Sequence, residues 1–247
     1  MSLPGSSQCE VVYSQDDPAM PSELRRLLIE MLSHHVENTS NPDYKHLLNK
    51  LWCEGMNVIP DDDDRVKVSF ARLMMQEVEH GAITRKVLAT LGVDKIDRPT
   101  SEFAQYFFEM PIETFCDLAY VNALGDRVGM FIGETWGSIP YEPMQRVAPK
   151  LYKDEVFHST FGLQNLKTVC STSAGLEEAN EKIRTWWPTV LDMFGRSSTR
   201  QSREYVRWGL RKADNETLRQ QYIASTRPRL EELGITVPPD EVGRRFL

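Results

Sequence analysis

Two short segments of this chain carry one pattern: Gln76-Glu77-Val78-Glu79-His80 and Asp154-Glu155-Val156-Phe157-His158 both contain Glu-x-x-His. Residues three apart on an α-helix share a face about one turn apart, so each segment aims a carboxylate and an imidazole at one point. Buried carboxylates are costly unless they are paired or hold a metal. The pattern therefore has chemical meaning only if both segments are helical and other helices bring further acids to the same place.

The spacing of apolar residues predicts such helices. Pro21-Ser22-Glu23 opens one through Leu24, Leu27, Leu28, Met31 and Leu32, continuing to Val36 with Glu30, His34 and Glu37 alongside, until Asn41-Pro42-Asp43 breaks it. A second piece, Tyr44 to Cys53, presents Leu47, Leu48, Leu51 and Trp52. The run Asp61 to Asp64 lacks the glycine and distal Glu of a calcium loop and reads as the cap of the next helix. That helix is expected from Asp64 to Leu91, packing through Val68, Ala71, Leu73, Met74, Met75, Val78, Ile83 and Val87 and closed by Gly92. Residues 93–110 read as a linker with a short helix at Phe103 to Phe108. Pro111 to Trp136 is helical and apolar again, yet holds Asp126, a poor helix-interior residue. Its position favours a functional role over a solvated Asp126-Arg127 pair, with Glu113 and Glu134 as alternatives on the same stretch.

Pro140 to Pro143 starts the helix with the second motif, which continues to Val169, and 175–194, 203–210 and 215–233 add further amphipathic helices. With no run of alternating apolar and polar residues long enough for a strand, the expected class is all-α. One domain is expected over 18–247, preceded by a Ser-, Pro- and Gly-rich arm at 1–17 that reads as disordered or loosely docked.

A formal charge of −7 argues against nucleic acid as a partner, which needs a dense cationic surface. The nine Arg and one Lys between Arg184 and Arg229 leave room for a local anion site, for instance a CoA phosphate, against the commoner solvated helix face. Cys9, Cys53, Cys116 and Cys170 lack metal or disulfide spacing and are expected to be reduced and mostly buried. No run has the length of a signal peptide core or a membrane span, so a cytoplasmic location without membrane partners is the default.

Each long helix thus offers an acid: Glu37, Glu77 with His80, Asp126, and Glu155 with His158. Carboxylates plus one imidazole per metal form the donor set of di-iron or di-manganese bundles. Asp154 is placed to hydrogen-bond a ligand imidazole, and Gln76 holds the equivalent position as a neutral amide. Met74, Met75, Met130, Phe131 and Trp136 are read as core, with cavity lining as the alternative.

At these residues the sequence resembles the catalytic subunits of multicomponent phenylacetyl-CoA epoxidases, a family of ferritin-like di-iron oxygenases of phenylacetate degradation. The likeness runs without a gap from Asp126 through Lys153-Asp154-Glu155-Val156-Phe157-His158 to Gly162. It continues in Trp186-Trp187-Pro188, Met193-Phe194-Gly195, the stretch Asn215 to Gln221 and the stretch Leu233 to Pro238, covering most of residues 20–240. The resemblance implies a ferritin-like four-helix bundle with additional C-terminal helices and a centre of two irons per chain, manganese being the alternative. It implies O2 as co-substrate and insertion of one oxygen atom into the aromatic ring of an aryl-acyl-CoA such as phenylacetyl-CoA. It also implies electrons from NADPH through a separate flavin and iron–sulfur reductase, and a sister subunit without the metal site; a homo-oligomer is among the assemblies expected.

Carried over position by position, Glu77, His80, Asp126, Glu155 and His158 fall on the family's ligand positions. Glu37 does so after a small shift, because the loop from Glu37 to Trp52 is longer here, and Glu30 is its fallback. Gln76 stands where the family tends to have Asp, and the family usually continues past the position of residue 247. Two other readings remain beside the oxygenase: a ferritin-like iron-binding or peroxide-handling protein, and a non-catalytic subunit of an oxygenase complex.

Overall fold

The computed structural model describes residues 11–40, 42–94 and 102–246, with the backbone alone described at 36–40, 42–49 and 102–105. The helices are α1 (Ser22–Ser40), α2 (Pro42–Val58), α3 (Asp64–Ala89), α4 (Glu102–Glu109), α5 (Phe115–Tyr120), α6 (Asp126–Gly133), α7 (Glu142–Val169), α8 (Ser173–Asp192), α9 (Arg200–Arg207) and α10 (Asn215–Glu231). A π-helical turn, Val121–Gly125, joins α5 to α6. Among the described residues the only β pairing is an isolated bridge between Tyr13 and Tyr141. The fold is an all-α ferritin-like bundle: α1 packs on α3, α3 on α7, and α7 along α5, the π-helical turn and α6.

Short polar side chains set where these helices begin. Asp63 Oδ1 accepts from Val66 N at 3.0 Å, so the acidic run does cap α3. Thr114 and Asp117 form a capping box at α5, which is why that helix starts at Phe115 rather than at Pro111. Gly92, at φ 73°, allows Val93 N to reach Leu88 O and close α3. The third long helix is not continuous as expected: it passes through the π-helical turn and ends at Gly133. The second piece, expected over Tyr44 to Cys53, extends over Pro42–Val58.

One apolar core gathers Phe70, Leu73, Leu118, Leu124, Phe161, Trp186 and Tyr222. Another gathers Leu24, Leu28, Leu32, Val87, Trp136, Tyr141 and Leu151. Along α3 and α7 the candidate donor residues fall between positions of one core and positions of the other, at the waist of the bundle, and Asp126 joins them from α6. The buried side of α3 includes Phe70, Leu73, Met74, Gln76, His80, Thr84 and Val87. Val68, Met75 and Val78, expected to pack, lie outside that arc and are exposed. Cys53 is likewise exposed, Cys116 is buried and Cys170 is half-buried; Cys9 lies outside the described residues.

Of the arm expected at 1–17, residues 1–10 lie outside the described residues. Tyr13 is buried against the bundle, its amide donating to Pro140 O at 3.3 Å and its carbonyl accepting from Glu142 N at 2.9 Å. No helix among the described residues is long and apolar enough to cross a membrane.

Candidate metal centre

Helix α3 presents Glu77 and His80, α7 presents Glu155 and His158, and Asp126 enters from the first position of α6. Glu77, Asp126, Glu155 and His158 each offer a donor atom, and these atoms all lie within 4.8 Å of one another. His80 faces the same carboxylates, with Nδ1 3.8 Å from Glu77 Oε1 and 3.5 Å from Glu155 Oε1. The two imidazole ring centres are 5.7 Å apart. Glu77 and Glu155 therefore stand between the two rings, while Asp126 lies on the His158 side, steadied by Asn122 Nδ2 donating to its Oδ2 at 3.0 Å. Asn122 is four residues earlier and reaches Asp126 from within the π-helical turn.

The far nitrogens are held as well. His80 Nε2 is 3.2 Å from Asp154 Oδ2, and His158 Nε2 is 3.1 Å from Gln76 Oε1. Gln76 Nε2 donates to Asp154 Oδ1 at 2.6 Å, and Lys150 Nζ donates to Asp154 Oδ2 at 2.7 Å and to Glu79 Oε2 at 2.9 Å. The position predicted for Asp154 beside a ligand imidazole is thus observed across helices, on His80 rather than on the imidazole of its own helix.

The residues present fit a metal. His158 Nδ1 is buried and 3.0 Å from Glu77 Oε1, yet the contact is not aligned as a hydrogen bond, leaving that nitrogen without a partner among the described residues. Burial pushes Asp126 well up, with the neighbouring Glu155 and Glu77 adding to it against the opposing charge of His158. Glu155 is also raised by burial and by Glu77. For Glu77 burial acts upward too, but contact with His158 and the charges of His80 and His35 hold it below the usual range. Burial opposes a charge on either imidazole; the surrounding carboxylates nevertheless raise His80, and Glu77 and Asp126 bring His158 up to about 9. Carboxylates with two imidazoles are a hard donor set, suited to iron or manganese.

Gly129 makes the crowding feasible, because a Cβ there would lie 2.7 Å from Glu155 Oε2. Beside the carboxylates opens a cavity of about 150 Å³, walled by Leu51, Leu73, Phe108, Val121, Ile132 and Met193. His35 and Trp136 border it too, their rings 4.8 Å apart edge to face. Of the five side chains weighed as cavity lining, Trp136 alone borders this space; Met75 is exposed and Phe131 packs on Tyr222.

The side chain of Glu37, expected as the α1 donor, lies outside the described residues. Its fallback Glu30 is turned elsewhere, accepting from Arg26 at 2.9 Å and from Gln201 at 2.6 Å. Glu134 pairs with Lys212 at 2.7 Å on the surface, away from the cluster. Much of the arginine-rich segment is committed to internal contacts: buried Arg219 donates to Leu191 O, Gly195 O and Glu216, and Arg227 to Val237 O, Pro238 O and Asp240. Sequence reasoning passed over Asn122, Gly129, Lys150 and His35. The i, i+4, i+8 row Gly125, Gly129 and Gly133 was the available signal for close approach on this helix.

Fold and site together define a ferritin-like bundle built around a buried carboxylate and histidine cluster. The chain belongs to the phenylacetic acid catabolic protein family, whose profile matches residues 67–245. It is 26% identical over 235 residues to one of the subunits of the 1,2-phenylacetyl-CoA epoxidase of Escherichia coli (strain K12), a match covering 90% of this chain and 72% of that protein.

Proposed function

We propose that this chain is the metal-bearing subunit of a multicomponent oxygenase that inserts one atom of O2 into the aromatic ring of an aryl-acyl-CoA such as phenylacetyl-CoA. The observation that carries the reading is the cavity whose one wall is Glu77, Asp126 and Glu155 and whose other walls are apolar. Its family and the epoxidase subunit it is similar to support the same chemistry. Glu77, Asp126, Glu155, His80 and His158 would hold two iron ions, or manganese, together with Glu37 of α1. Bound there, the metals would supply the two-electron chemistry that O2 requires.

The chain's own residues do the rest. Glu77 and Glu155 each face both imidazoles, and Asn122 keeps Asp126 turned inward. At about 150 Å³ the cavity is smaller than the roughly 300–1,000 Å³ that encloses a whole drug-sized ligand, which suits a single ring with the thioester tail outside. Its apolar walls exclude water from the reacting ring. The balance is ring substrate, O2, two electrons and two protons giving ring epoxide and water. The electrons belong to a separate flavin and iron–sulfur reductase drawing on NADPH, and a cytoplasmic setting with a sister subunit completes the reading.

The test is anaerobic Fe(II) loading followed by turnover of aryl-CoA thioesters with a reductase and isotopically labelled O2. About two irons per chain and labelled oxygen in a ring product are expected. Retained iron with peroxide consumption and no labelled product would favour an iron-handling protein. Failure to retain iron would leave a non-catalytic subunit.

A further inference from the structure

We propose that Gln76 is a positioning residue that makes the two halves of the centre unequal, by backing His158 with a neutral amide where His80 is backed by the Asp154 carboxylate. The inference rests on the metal-centre reading and concerns how this chain tunes it. Asp154 accepts from His80, Gln76 and Lys150 at 3.2, 2.6 and 2.7 Å. An ionised carboxylate has nothing to donate, so all three partners must be donors.

That requirement settles the rest of the chain of contacts. The Gln76 nitrogen has to face Asp154, which leaves the Gln76 oxygen facing His158 Nε2 at 3.1 Å. An amide oxygen only accepts, so His158 Nε2 carries a proton, as does His80 Nε2. One carboxylate thereby fixes an amide orientation and both ring tautomers, and leaves both Nδ1 lone pairs, on the side of Glu77 and Glu155, available to a metal. Lys150, bridged to Glu79 as well, clamps this arrangement between α3 and α7.

The backing groups differ in charge. A hydrogen bond to a carboxylate raises the basicity of a ligating imidazole more than one to an amide, and losing such a partner typically costs 10–100-fold in metal affinity. In this chain His80 receives the stronger support directly, and His158 receives it only through the Gln76 amide. The His80 side is the tighter half, and the His158 side depends on Gln76 for its ring orientation.

The experiment is anaerobic Co(II) titration of the full chain and its variants, read by visible absorption against a competing chelator. Two uptake steps are expected in the unmodified chain. Gln76→Leu should weaken one step by roughly 10–100-fold and leave the other in place. Asp154→Ala should weaken both. The near-isosteric Gln76→Glu, which puts a carboxylate on His158, should narrow the gap between the steps.

In the Co(II) form the unmodified chain should show two slowly exchanging, paramagnetically shifted imidazole N–H resonances, and Gln76→Leu should keep one. Gln76→Leu leaving both steps unchanged, or weakening both alike, would overturn the proposal while the metal centre stands. No Co(II) uptake by the unmodified chain would overturn the metal-centre reading and this proposal with it.

Discussion

Glu155 occupies the space that a side chain at position 129 would need. Because the atom in the way is the far end of a flexible carboxylate, Gly129→Ala should cost little in stability: alanine gains about 1 kcal/mol of helix propensity over glycine, which offsets the local shift. The displaced carboxylate should instead lower metal affinity at least about tenfold, so a variant that melts normally yet loads metal poorly is the expected result. His35 offers a pH test. Burial, reinforced by the charge of His80, lowers it to about 4 against Glu77's opposing pull, below the ordinary value of 6.5. The unfolded chain therefore takes up the proton first as pH falls. The stability tied to a neutral His35 is complete above pH 6.5 and is lost on descending toward 4, on the order of 3 kcal/mol in all. In urea unfolding, the unmodified chain should lose stability relative to His35→Phe as pH drops through that window. Glu77, His80, Glu155 and His158 could be read from spacing, and Asp126 from its unsuitability inside a helix. The tasks of Gln76 and Lys150 could not, since they depend on pairings across 78 and 71 residues of sequence.

Helix α7 touches the π-helical turn at Gly162, where an added Cβ would lie 2.1 Å from Ala123 N and 2.4 Å from Asn122 C. Backbone cannot step aside as a carboxylate can. Gly162→Ala should cost at least about 1–3 kcal/mol through overpacking, and by moving Asn122 it should also release Asp126; chemical denaturation and metal loading would both fall. The start of α5 is a second test. Buried Asp117 accepts from Lys182 at 2.8 Å, from Trp186 at 3.0 Å and from the amides of Glu113 and Thr114. Asp117→Ala should destabilise by about 2–4 kcal/mol through stranded donors, with metal binding to the folded fraction unchanged. The long helices were legible because apolar residues recur at their period. The interruption before Asp126 was not, because it lies where one helix meets a glycine of another. The exposure of Val68, Met75 and Val78 escaped for a related reason: apolarity marked a wider arc of α3 than the one that Gln76, Glu77 and His80 share with its core residues.

At the scale of the whole molecule, the last residues are stitched to α8. Asp192, 1% exposed, accepts from Arg244 Nε and from the amides of Arg245 and Phe246, while Trp187 Nε1 donates to Asp240 at 3.0 Å. Removing residues 240–247 would strand a buried carboxylate, a loss of about 3–5 kcal/mol. At about 2–4 °C per kcal/mol for a chain of this size, the melting temperature should fall by roughly 6–20 °C, which calorimetry would show. The class and the bundle were visible in the sequence; this stitching was not, because an arginine-rich tail reads equally well as a solvated surface. The π-helical turn has a wider reach than its five residues. It contains one residue more than α-helical hydrogen bonding over the same span would use, and a helix turns by about 100° per residue. Winding the same residues as ordinary α-helix, with none removed, would place the extra residue in the helical path and rotate α6 by about 100°, more than a quarter of a revolution. The helix would be more regular but Asp126 would face the wrong way, so at this point in the chain the capacity for chemistry is encoded as an irregularity.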